Sequence, residues 1–154
     1  MKKQMIGLII WLLVSLAAGF IGSRFMPGEW YEALNKPSWN PPSSVFGPVW
    51  TTLYILMGIA AWLVWRKVSF AGAHVVLTLF IIQLVLNALW SFLFFGIHRP
   101  DMAFIEIIIL WVLILATIIG FWRISMLAGI LLLPYLLWVS FASVLNLQLW
   151  RLNV

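Results

Sequence analysis

A chain of 154 residues that is 65% hydrophobic and 8% charged carries more apolar surface than one water-soluble core of that size can enclose, so its solvent is lipid. The net charge of +5 comes from Lys and Arg placed singly or in pairs at the ends of apolar runs, which marks membrane edges and argues against a nucleic-acid surface. The absence of cysteine excludes disulfides, thiolate metal sites and cysteine nucleophiles.

A membrane crossing needs about 20 mostly apolar residues. Runs of that kind occupy 5–25, 46–65, 71–96, 102–122 and 126–150, which predicts an all-α integral membrane bundle of five transmembrane helices in a single domain, 1–154. The first run follows Lys2 and Lys3 but is too long for the core of a secretory signal, and no small-residue cleavage site follows it. It reads as a retained helix in which Ser15, Gly19, Gly22 and Ser23 permit either close helix approach or room for a ligand.

The loop 26–45 has no apolar periodicity, and loops of this length between packed helices are usually lids or binding loops. Trp30, Tyr31, Leu34 and Trp39 give it something to bury, while Pro27, Pro37, Pro41 and Pro42 reduce the entropy lost on ordering it. A lid is the natural reading; an interfacial belt of Trp and Tyr is the plainer alternative.

Ser44 is a predicted N-cap of the second helix, with Pro48 in its first turn and Trp50 and Tyr54 on one face. In the third helix Gln83, Asn87, Trp90, Ser91 and Phe94 keep helical spacing, and polar groups in lipid should turn this stripe inward. The lone loop residue His98 reads as a solvated polar group. Asp101 opens the fourth helix, and Glu106, about a turn further on, is expected to pair with Arg99 or reach the interface. The fifth helix has Ser125 as its cap, a bend at Pro134, and a face of Trp138, Ala142, Leu145 and Leu149.

Five crossings put the termini on opposite sides. The N-terminal side carries Lys2, Lys3, Arg66, Lys67 and Arg123, the other Arg24, Lys36, Arg99 and Arg151 with Glu29, Glu32 and Asp101; the five-to-four excess favours a cytoplasmic N-terminus. Four helices thus direct aromatic, amide or small residues to one half of the bilayer, beneath the loop. Apolar walls with a few amides and indoles suit a flat amphipathic molecule, although each amide alone could simply join helices and each indole fill the core.

The ordered motif Trp30-Tyr31-x-x-Leu34-x-Lys36-Pro37-x-Trp39-x-Pro41-Pro42, followed by Phe46-x-Pro48-Val49-Trp50-Thr51-x-Leu53-Tyr54-x-x-Met57-Gly58, resembles the translocator protein (tryptophan-rich sensory protein) family. Gln83-x-x-x-Asn87-x-x-Trp90-Ser91, Pro134-Tyr135-x-x-Trp138-x-x-Phe141-Ala142 and the ending Leu145-Asn146 with Trp150-Arg151 extend the likeness over essentially the whole chain. The resemblance implies a multi-pass protein, of a bacterial plasma membrane here, commonly a homodimer. Its pocket under the first loop would take protoporphyrin IX, haem-like tetrapyrroles and isoquinoline carboxamide drugs. Porphyrin would be ligand or substrate, with no obligatory cofactor and no metal site. Trp50 and Trp138 match paired tryptophans linked to light-driven porphyrin breakdown, the catalytic candidates, and Tyr31, Asn87, Trp90 and Ala142 match pocket positions. With Gly19, Gly22, Pro41, Phe46, Tyr54, Ser91 and Leu145 these form the expected ligand-binding set. Leu147 stands where the sterol motif of animal members needs Tyr, so sterol recognition of that kind is not expected. No nucleophile, triad or ligand cluster appears, which leaves light-dependent breakdown, binding alone as a sensor or scavenger, and transport as the functions to separate. No duplicated half or pair of broken helices supports transport.

Overall fold

A computed structural model describes residues 2–154, with Met1 outside them. Helix α1 (Lys2–Gly22) buries Gly7, Trp11, Ser15, Ala18 and Gly22, spaced three or four residues apart on one narrow stripe. The rest of its surface is apolar and exposed: Ile9, Ile10 and Leu13 are each more than half accessible. Buried groups elsewhere include Gln83, Asn87, Thr117, Ser143 and Asn146, while Ile105, Ile109 and Leu137 face outward. A water-soluble monomer does not expose so much continuous apolar surface, whereas a lipid-solvated bundle must.

Among the described residues four helices are long and apolar enough to cross a membrane, one of them the 54-residue stretch Ser43–Gly96. As a straight rod that stretch would span about 80 Å, over twice the hydrocarbon thickness. It is a hairpin. Its main helix, α3 (Phe46–Ser91), reverses at Ser69 (φ 58°, ψ 177°) and Ala73 (φ −128°, ψ 19°), and Tyr54 and Asn87, 33 residues apart, share a hydrogen bond. The break expected at 66–70 therefore extends to Ala73, among the exposed polar residues Arg66, Lys67, Ser69 and His74. After the π-helical turn Phe92–Gly96 come α4 (Pro100–Ile124) and α5 (Met126–Leu152). The connecting segment between α1 and α3 holds the short helix α2 (Glu29–Ala33) and a 3-10 turn, Ser43–Val45.

Helix ends depart from the expected caps. Ser44 lies inside the 3-10 turn and Val45 is the cap residue of α3; Ser125 holds the cap position of α5 but its hydroxyl makes no cap bond. Pro100, not Asp101, is the first residue of α4, where its missing N–H costs nothing. Pro134 is exposed on the outer side, and α5 continues through it. At the N-terminal end of the bundle Trp62 Nε1 donates to the Gln4 carbonyl (2.9 Å), and Lys67 Nζ donates to the Ile124 carbonyl (2.6 Å), capping α4.

Candidate ligand pocket

Beneath the connecting segment the helices enclose a cavity of about 330 Å³, within the range of small-molecule sites. Gly19 and Gly22 of α1, Trp50 and Tyr54 from the first half of α3, and Asn87, Trp90 and Ser91 from its second half line it. Trp138, Ala142 and Leu145 of α5 and Phe46 close the wall, and Tyr31 comes down from α2. Glycine at position 19 is a packing requirement: a Cβ there would come within 2.6 Å of the Tyr54 ring.

Pro41 is the one expected residue that does not line the cavity. Its carbonyl accepts from Asn40 Nδ2 (3.1 Å) in the stretch leading to the 3-10 turn, so its part is to stiffen the loop. Lining residues outside the expected set include Leu16, Phe20 and Ser23, which with Gly19 keep one helical stripe on α1, and Phe95, Phe141 and Asn146. The α1 stripe was readable from its spacing. Phe95 was not, because the π-helical turn that sets its direction has no clear sequence signal. That turn, closed by Ile97 N–H to the Phe92 carbonyl (2.9 Å), puts both Phe94 (6.3 Å) and Phe95 (5.6 Å) edge-on to Tyr31.

The covering segment is tied down at several points. Tyr31 is 2% exposed and donates to Asn40 Oδ1 (3.1 Å). Burial pushes its phenol up from the ordinary value, against a smaller lowering by the Asn40 bond, so it remains a donor at neutral pH. Asn35 and Asn153 exchange bonds: Asn35 N–H donates to Asn153 Oδ1 (2.8 Å) and Asn153 Nδ2 to the Asn35 carbonyl (3.0 Å), fastening the loop to the end of α5. Trp30 stacks on His98 (4.3 Å, 10°), which adopts a left-handed backbone (φ 56°), so His98 supports the cover and does not line the cavity.

A buried hydrogen-bond chain runs from the cavity wall, at Tyr54 and Asn87, into the core. Tyr54 donates to Asn87 Oδ1 (2.6 Å), Asn87 Nδ2 to the Tyr135 hydroxyl (2.7 Å), and Tyr135 to Gln83 Oε1 (2.7 Å). Asn87 thus spends one lone pair and one amide hydrogen on the protein itself. Trp50 packs on this chain, stacked on Tyr54 (5.7 Å) and edge-on to Tyr135 (6.3 Å). Asn87→Leu is expected to lower stability by about 2 kcal/mol, because two buried tyrosine hydroxyls each lose a partner. Thermal unfolding in detergent measures this; a midpoint equal to wild type would contradict a structural part for the chain.

Trp138 meets Trp50 edge-on (6.5 Å, 89°) and lies between Phe46 (6.0 Å) and Phe141 (5.5 Å). Its indole N–H is buried without an acceptor among the described residues. Trp90 Nε1 donates to Asn146 Oδ1 (3.0 Å), and Asn146 Nδ2 to the Pro100 carbonyl (2.8 Å), which locks the start of α4 to this wall. No lining residue is charged. Glu106 departs from its expected pairing: Arg99 is held by Asp101 (2.9 and 2.6 Å), and Glu106 is buried on the inner face of α4 with neither carboxyl oxygen bonded, outside the lining.

The sequence model of the TspO/MBR family matches residues 10–151. The chain is 46% identical to the tryptophan-rich protein TspO of Chlorobaculum tepidum over 99% of both chains. It is 43% identical to the human translocator protein over 87% of this chain and 82% of that one, and 40% identical to the tryptophan-rich sensory protein of Cereibacter sphaeroides over 86% and 82%. A helical bundle with an apolar exterior and an aromatic cavity, matched to these relatives over nearly its full length, belongs to the TspO/MBR family.

Proposed function

We propose that this protein crosses the membrane five times, α3 contributing two crossings, and binds porphyrins such as protoporphyrin IX in the covered cavity. The same cavity would take flat isoquinoline carboxamide drugs. We propose further that it promotes oxidative breakdown of bound porphyrin under light. The observation that carries the reading is the Trp50–Trp138 pair at 6.5 Å on a wall with no charged residue. Indoles and phenyl rings offer stacking area to a macrocycle. No carboxylate, imidazole or amine lines it to drive acid–base or hydrolytic chemistry. Indole is, however, a good one-electron donor: it reduces the photoexcited porphyrin, which passes that electron to dioxygen as superoxide. The oxidised indole then takes an electron back from the ground-state macrocycle, and superoxide adds to the resulting porphyrin radical cation, so that dioxygen is the net oxidant.

Purified protein mixed with protoporphyrin IX should show Trp fluorescence quenching in the dark and aerobic loss of the pigment's visible absorption under illumination, faster than free pigment. Quenching without accelerated loss would reduce the function to binding, and absence of quenching would remove the porphyrin reading altogether.

A further inference from the structure

We infer that Arg24 recognises an acidic group of the ligand at the mouth of the cavity, a specificity role that rests on the porphyrin reading above. The exposed lining residues Leu16, Phe20 and Ser23 on α1, Met26 just after it, and Gly47 and Thr51 on the first turns of α3 mark where the cavity opens. An uncharged lining cannot hold a carboxylate without a large desolvation cost. A flat molecule with an apolar body and an anionic edge therefore keeps that edge at the mouth. The Arg24 guanidinium lies there, 4.8 Å from the centre of the Phe20 ring, itself part of the lining.

Arg24 is also an uncommitted cation on this side. It is exposed and makes no side-chain hydrogen bond or ion pair with the described residues, among which Arg99–Asp101 is the one salt bridge. Lys36 donates to the carbonyls of Glu32 (2.9 Å) and Leu34 (3.3 Å). Arg151 is likewise unbonded among the described residues, but the lining residue nearest to it in sequence, Leu149, is buried, not at the exposed rim. A guanidinium held flat on an aromatic ring keeps its N–H edge free for a bidentate carboxylate.

The test compares protoporphyrin IX with its dimethyl ester, which has the same ring and no anionic edge, by Trp quenching in nanodiscs of uncharged phosphatidylcholine. Wild type should bind the diacid about tenfold tighter than the ester, the worth of one charge-assisted contact. Arg24→Gln should remove that preference while leaving ester affinity within about twofold, and Arg24→Lys should restore part of it. High salt should erode the diacid preference, because the mouth is exposed. An unchanged diacid-to-ester ratio in Arg24→Gln, or equal loss of both ligands, overturns the assignment. Wild type binding both forms equally removes Arg24 alone, whereas wild type binding neither removes the porphyrin reading together with it.

Discussion

Trp138→Phe is expected to keep dark binding of protoporphyrin IX within about tenfold of wild type and to slow light-driven pigment loss, per bound ligand, by more than about a hundredfold. Phenylalanine preserves an aromatic face between Phe46 and Phe141, so the wall and its stacking survive. It does not preserve the electron, because a benzene ring is far harder to oxidise than an indole. The buried N–H of Trp138 has no acceptor among the described residues, so the oxidised ring holds its proton and can take its electron back from the macrocycle without proton transfer. Trp50→Phe should cost more in binding, since that indole also covers Tyr54 and Tyr135, and the double variant should remove the remaining turnover. Absorbance decay under fixed illumination at matched occupancy is the measurement. Equal decay in Trp138→Phe and wild type would end the electron-donor role and leave binding in place.

The inner wall was legible from sequence because lipid permits few positions for an amide. Gln83 and Asn87, four apart on an apolar helix, could only turn inward, and Trp90 and Ser91 follow on the same stripe. The glycines of α1 were legible in kind but not in use: small residues signal close approach, yet only the packed structure puts Gly19 against the Tyr54 ring. Glu106 departs from its expected pairing because proximity in sequence to Arg99 says nothing of competition, and Asp101, two residues from Arg99, takes the guanidinium first. Pro41 belongs to the strongest motif in the chain, but a motif reports that a proline is needed, not whether it touches the ligand or stiffens the approach. The covering segment's fastening to Asn153 links residues 118 apart, beyond any local pattern.

Gly58→Leu is expected to destabilise the bundle by about 3 kcal/mol and to weaken ligand binding with it. A Cβ at this position would lie 2.9 Å from Leu12 Cα and 3.1 Å from the Trp11 carbonyl oxygen, so it meets the backbone of α1 and cannot be accommodated by a side-chain rotation. The nearby carbonyl of Tyr54, four residues earlier, accepts the Ser15 hydroxyl (2.6 Å), and the two contacts together seat α1 on α3. Displacing α1 carries Leu16, Gly19 and Phe20 with it, one wall of the cavity. Even Gly58→Ala should lower the thermal midpoint, whereas Gly47→Ala, where a Cβ meets nothing within 4 Å, should not. Thermal unfolding in detergent, run beside dark quenching titrations, separates the cases: a Gly58→Leu protein with the wild-type midpoint would mean that α1 does not rest on this glycine, and the cavity wall would need another support.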